Sequence, residues 1–180
     1  MGERNRLMTR SALFAALLCL LAPLAVPLGP VPVTLAGFAV ILCGMVLEKK
    51  QAVAAVCIYI LAGALGLPVF SGGRGGVAVL LGPTGGYIWA YPLVAGLAAR
   101  LRQHLDASRR AGMFTLSAAC ALSLLPCHLL GTLWYMLLTH TPAPRAIAVC
   151  LLPFLPFDLF KAVAAAWLGT ALRRRLELLQ

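Results

Sequence analysis

The chain of 180 residues is 62% hydrophobic and only 11% charged, with a mean hydropathy of +0.94. Soluble globular domains carry roughly 25% charged residues, so this chain cannot cover a water-facing surface and needs a lipid bilayer as its solvent. Its net charge of +10 does not signal nucleic-acid binding. The basic residues sit in short clusters between long apolar stretches, as at membrane boundaries, and form no stripe interleaved with polar and aromatic side chains.

Met1–Arg10 followed by Ser11–Val26 has the outline of a signal peptide. The apolar stretch is longer than an h-region of 7–15 residues, and no small-x-small cleavage site ends it. It reads as an uncleaved first helix. A span needs about 20 apolar residues, fewer where neighbours shield it. Six segments fit: 8–27, 33–47, 51–66, 80–101, 112–139 and 145–172. The second and third are short, and are expected to be tilted, shielded, or both. The last two are long and contain Pro126, Pro153 and Pro156, which remove backbone donors and kink helices. The expected architecture is an all-α, six-helix membrane bundle forming a single domain over 1–180.

Basic residues orient the bundle. With the N-terminus in the cytoplasm, one side receives Arg4, Arg6, Arg10, Lys49, Lys50, Arg100, Arg102, Arg109, Arg110, Arg173, Arg174 and Arg175, and the other only Arg74 and Arg145. That bias places both termini in the cytoplasm, which requires an even number of spans. Of the outer connections, 27–33 is uncharged and proline-rich, whereas 66–76 is rich in glycine and partly apolar and runs on to Gly82-Pro83-Thr84-Gly85-Gly86-Tyr87. Such a loop is either a plain connector or a lid that folds over a ligand. It is not a phosphate loop, because the terminal Gly-Lys-Ser/Thr is missing. The chain carries no ATPase motif. Its six cysteines form no C-x-x-C, and nearly all fall inside apolar runs, as small hydrophobes do.

Two formally charged side chains lie well inside the spans, Asp158 and Lys161. Three residues apart, they share a helix face. Asp158 stands about 22 Å above Arg173 at 1.5 Å per residue, in the outer half of the hydrocarbon core. Charges at such depth cost several kcal/mol and face a bundle interior or a cavity. One reading is a self-neutralising pair that pins the last helix; the other, which the chemistry favours, is a ligand or ion site. An acceptor beside three donors suits a polar ligand with both NH and C=O groups, and suits a metal poorly. His128 is a weaker candidate, either a proton carrier or a helical histidine bonded to a neighbour. No nucleophile, base and orienting group can be assembled, so an enzyme is not indicated and no cofactor is called for. Ala12 and Ala16 have the four-residue spacing that lets helices approach closely, a pattern common by chance in an alanine-rich chain.

The run Gly66-Leu67-Pro68-Val69-Phe70-Ser71-Gly72-Gly73-Arg74-Gly75-Gly76, then Gly82-Pro83-Thr84-Gly85-Gly86-Tyr87, resembles the signature of the BioY family. So does Val31-Pro32-Val33-Thr34, and Pro156-Phe157-Asp158-Leu159-Phe160-Lys161 matches that family's Pro-x-Asp-x-x-Lys. BioY proteins are the biotin-binding S components of energy-coupling factor (ECF) transporters. The resemblance implies a multi-pass protein of the bacterial cytoplasmic membrane whose transported ligand is biotin. It implies polar contacts from Asp158 and Lys161, with Tyr87, Phe70, Arg74 and Thr84 completing the pocket and Trp89 as a further aromatic wall. Gly72, Gly73, Gly75 and Gly76 then belong to a lid, and Ala12 and Ala16 to the surface that docks on a T component. ATP hydrolysis falls to separate subunits. The rival readings are an S component for another vitamin, or an autonomous carrier coupled to protons through Asp158. No inverted repeat is visible to favour the latter.

Overall fold

The computed structural model describes residues 3–27, 29–108, 110 and 112–178. Helix α1 (Glu3–Leu21) leads into a two-stranded ribbon, β1 (Ala25–Val26) antiparallel to β2 (Val33–Thr34), with Ala25 opposite Thr34. There follow α2 (Ala36–Val46), α3 (Lys49–Ala64), a short α4 (Val77–Leu81) and the long α5 (Gly85–Ala107). The last four helices are α6 (Met113–Ser123), α7 (Leu125–Thr139), α8 (Ala143–Cys150) and α9 (Phe154–Leu178). The fold is nearly all helical, as the apolar runs require.

Helix α2 is the hub, packing on α1, α3, α5 and α9. Eight of its eleven residues are buried, so its shortness is compensated by shielding. Helix α3 shows the stripe of a bundle helix: Ala52, Ala55, Val56, Tyr59, Ile60 and Gly63 face inward, at the 3.6-residue period. Its opposite face exposes Ile58, Leu61 and Leu65. Along α7, Leu129, Leu133 and Leu137 are all exposed, as are Phe160 and Trp167 on α9. Continuous outward apolar surface of this kind is unfavourable in water and is what a lipid-solvated protein presents. Among the described residues, two helical stretches are long and apolar enough to cross a bilayer by themselves, Met113–Thr139 and Phe154–Leu176.

Four boundaries differ from the sequence expectation. The first segment does not remain helical to 27; α1 stops at Leu21, because Pro23 and Pro27 cannot donate to a helix, and Ala25–Val26 pair in the ribbon instead. The fourth is two pieces, since Val77–Leu81 forms its own short helix before Gly82 and Pro83. The fifth breaks at Leu124 ahead of Pro126, where the Ser123 hydroxyl donates to Cys120 O at 2.6 Å, a bond that bends helices. The sixth divides at Leu151–Pro153. That last break matters for the site. It makes Phe154 the start of α9, puts Pro156 harmlessly in its first turn, and leaves Asp158 and Lys161 near the helix's N-terminal end.

Candidate ligand-binding site

Asp158 and Lys161 lie on the buried side of α9, at 8% and 7% exposure. Lys161 Nζ donates to Asp158 Oδ1 at 2.9 Å. The other carboxylate oxygen, Oδ2, is 2.8 Å from Nε2 of His128, which reaches across from α7. The pair expected from spacing is therefore a three-membered cluster tying two helices together.

The cluster borders a partly enclosed cavity. The ribbon contributes Val31, Pro32 and Thr34, and α2 contributes Ala36 and Gly37. Tyr59 comes from α3, Tyr87, Ile88 and Tyr91 from α5, Cys127 from α7 and Phe154 from α9; Ser71 and Val79 approach from the glycine-rich side. The aromatic walls are fixed by their neighbours. The Tyr87 ring stacks on Phe154 with centroids 6.2 Å apart and 15° between planes, and its hydroxyl donates to Cys150 O at 3.3 Å. Phe154 meets the His128 ring edge-on at 6.2 Å. Gly131 makes room for Tyr87, because a Cβ at that position would overlap the phenol ring.

Each sequence candidate can now be placed. Asp158, Lys161, Tyr87 and Thr84 line the cavity together. Phe70 is fully buried, but not at the cavity: it packs edge-on to Tyr59 at 5.6 Å and so backs a wall without forming one. Arg74 is exposed, its Nε donating to Ser71 O at 3.2 Å. Trp89 is half exposed on the outside, its Nε1 donating to Leu80 O. In the loop, Gly72 and Gly73 take φ of 69° and 71°, the left-handed region that favours glycine. Gly72 N donates to Pro23 O, and Gly76 N to Gly63 O at 2.7 Å, so the loop lies folded across the C-terminal ends of α1 and α3. Gly75 adjoins Leu67 and Gly66. Ala12 and Ala16 sit elsewhere, exposed on α1.

His128 is the helical histidine bonded to a neighbour that the sequence suggested, the neighbour being Asp158; the cavity residues Tyr59, Tyr91 and Phe154 were not among the sequence candidates. The available signal for His128 was its being a titratable group inside an apolar segment. What the finished cavity offers is a carboxylate and an ammonium, with an imidazole bonded to the carboxylate, among aromatic walls. That division suits a ligand with a polar NH/C=O head on an apolar body. Among the described residues no group of three or more His, Cys, Asp or Glu is placed to hold a metal ion.

Comparison with known proteins agrees with this geometry. A structure described as the S-component for biotin from an ECF-type ABC transporter superposes with a TM-score of 0.88 at 27% sequence identity, covering 97% of this chain and 95% of its own. The biotin transporter BioY2 of Lactococcus lactis subsp. cremoris is 37% identical over 170 residues, which are 94% of this chain and 91% of that one. The biotin transporter BioY of Thermotoga maritima is 37% identical over 172 residues, covering 94% and 96%. The family model described as the BioY family matches residues 3–178. With family model, relatives and fold all agreeing along nearly the whole chain, this protein belongs to the BioY family.

Proposed function

We propose that this chain is the biotin-binding S component of an ECF-type transporter. The observation that carries the reading is the buried Asp158–Lys161–His128 cluster lining an aromatic-walled cavity. Biotin has the matching form. Its ureido ring presents two N–H donors and a polarised carbonyl, while its thioether ring and aliphatic chain are apolar. Asp158 has lone pairs left for an N–H, and Lys161 has donors left for a carbonyl or carboxylate.

In this reading the bundle crosses the bacterial cytoplasmic membrane six times, as one domain with both termini in the cytoplasm. Support comes from the basic residues, which gather at one set of loops, and from the apolar exterior. The loop around Gly72 and Gly73 closes over the ligand. A T component docks on the exposed Ala12 and Ala16 of α1, and separate ATPase subunits supply the energy. Ala12→Trp or Ala16→Trp then leaves biotin binding intact and abolishes co-purification with the T component; recovery of the intact assembly would count against that docking face.

The decisive measurement is titration of the purified chain with radiolabelled biotin. We expect saturable binding that thiamine and riboflavin do not compete, weakened tenfold or more by Asp158→Asn or Lys161→Ala, since each leaves a buried polar partner unpaired. Unchanged affinity in both variants overturns the site, and absence of binding to the unsubstituted chain overturns the ligand.

A further inference from the structure

We infer that Phe70 is a positioning residue that pins the glycine-rich loop over the cavity, and that its seat on Gly63 sets how fast a bound molecule leaves; the inference rests on the biotin and lid readings above. Loops run over protein surfaces, and most of this one does. Leu65, Gly66, Leu67 and Pro68 are exposed, as are Gly72, Gly73 and Arg74, yet Val69 and Phe70 between them are 8% and 0% exposed. Phe70 is the one aromatic residue of 66–76.

The seat is shaped for it. A Cβ on Gly63 would overlap the Phe70 ring, so the ring rests directly on the backbone of α3. Tyr59, four residues earlier and on the same helix face, meets it edge-on at 5.6 Å. Glycine is a poor helix former, and here it is what leaves room for the ring. The chain around Phe70 closes into a tight turn, with Phe70 N donating to Arg74 O at 2.8 Å and Gly73 N to Phe70 O at 3.0 Å. Ser71, inside that turn, lines the cavity. The buried ring therefore fixes a piece of cavity wall that lies one residue away.

Two further ties hold the loop, Gly72 N to Pro23 O and Gly76 N to Gly63 O. Each is a single backbone bond, of modest net worth where water can replace it. Withdrawing a fully buried phenyl ring shifts an open–closed equilibrium more, roughly ten- to a hundredfold. A ligand held behind Ser71 leaves when the turn lifts, and lifting draws Phe70 off Gly63. Loosening the seat then speeds exit without slowing entry, because entry uses the same open arrangement. A phenylalanine that merely packed the fold would, when removed, lower the number of competent molecules and leave the rate constants of the rest unchanged.

The test compares Phe70→Ala, the milder Phe70→Leu, Gly63→Ala, and the variant combining Gly63→Ala with Phe70→Ala. Each is loaded with radiolabelled biotin and chased with excess unlabelled biotin, so that only molecules folded well enough to hold ligand are read. We expect Phe70→Ala and Gly63→Ala each to release biotin roughly tenfold faster, and Phe70→Leu roughly threefold faster. Association rate constants are expected to be no lower than that of the unsubstituted chain. In the combined variant the added methyl meets no ring, so release is no faster than in Phe70→Ala alone. Release within about twofold of the unsubstituted chain in both Gly63→Ala and Phe70→Leu, a change too small for a lost seat, overturns the inference. Effects that multiply in the combined variant overturn it too, as does slower association with unchanged release. Each of these results leaves the biotin reading standing, whereas failure of the unsubstituted chain to bind biotin overturns that reading instead.

Discussion

The molecule buries charge in two places and uses it in opposite ways. Near the start of α9, Asp158, Lys161 and His128 border a cavity, and Nδ1 of His128 has no hydrogen-bond partner. At the C-terminal end of α2, Arg102 is equally buried, at 5% exposure, but each of its three guanidinium nitrogens bonds to a group of the chain itself. Nε donates to Gly44 O, a second nitrogen to Leu47 O at 3.1 Å, and the third to Asp106, which also accepts from Arg173 at 2.8 Å. Gly44 and Leu47 bracket the C-terminal turn of α2, where carbonyls have no intrahelical donor. Arg102 caps that helix and, through Asp106, ties α5 to α9. A buried charge whose nitrogens all bond within the chain serves the architecture; charges that border a cavity are the candidates for holding a ligand.

The comparison breaks most sharply if the two clusters fail to separate stability from binding. Arg102→Ala strips two buried carbonyls of their donor and is expected to cost about 3 kcal/mol of stability, read as a lowered unfolding temperature in detergent. Biotin affinity of the folded fraction should not change. Asp158→Asn is expected to lower the affinity of the folded fraction tenfold or more, with some loss of stability besides, because Lys161 loses its buried counter-charge. An Arg102 variant that folds normally and binds biotin poorly would reverse the two assignments.

A smaller effect probes how the aromatic wall is set. Gly131 lies against the Tyr87 ring, so Gly131→Ala must push the phenol toward Phe154 and the cavity. Overpacking of this kind costs about 1–3 kcal/mol, shared between fold and ligand. We expect biotin affinity to fall roughly three- to tenfold, and Gly131→Ala to cost less than that when made in a Tyr87→Ala background. Losses that simply add would show that the glycine serves helix packing rather than the wall.

What the sequence disclosed follows from range. Asp158 and Lys161 stand out because charge in an apolar run is conspicuous and because i and i+3 share a face; both facts are local. His128 is thirty residues from Asp158 along the chain, and their meeting depends on how α7 and α9 are staggered, which no spacing rule encodes. Tyr59 and Tyr91 were hidden for the same reason: their inward direction depends on which helix stripe packs on α2 and α5. Helix existence was legible from the apolar runs, but helix ends were not. Ala22–Val26 is as apolar as the helix before it, and only Pro23, Pro27 and ribbon pairing stop α1 at Leu21.

Arg74 supplies the smallest expected effect and the finest test of the contrast between charge held within the chain and charge that meets a ligand. The family-like loop made it a candidate for the biotin carboxylate. In the fold it is exposed, bonded to Ser71 O within its own turn, and not among the cavity residues. An exposed arginine gains little from pairing with an anion, because solvent and salt screen it. Arg74→Ala is therefore expected to change the equilibrium affinity by less than about threefold, with any effect residing in the association rate and disappearing at high salt. Stopped-flow binding at two ionic strengths measures both quantities. A large, salt-insensitive loss of affinity would mean that the glycine-rich loop carries Arg74 into the pocket on closure. The cavity would then gain a third charged ligand contact beside Asp158 and Lys161, from a side chain that is exposed in this structure.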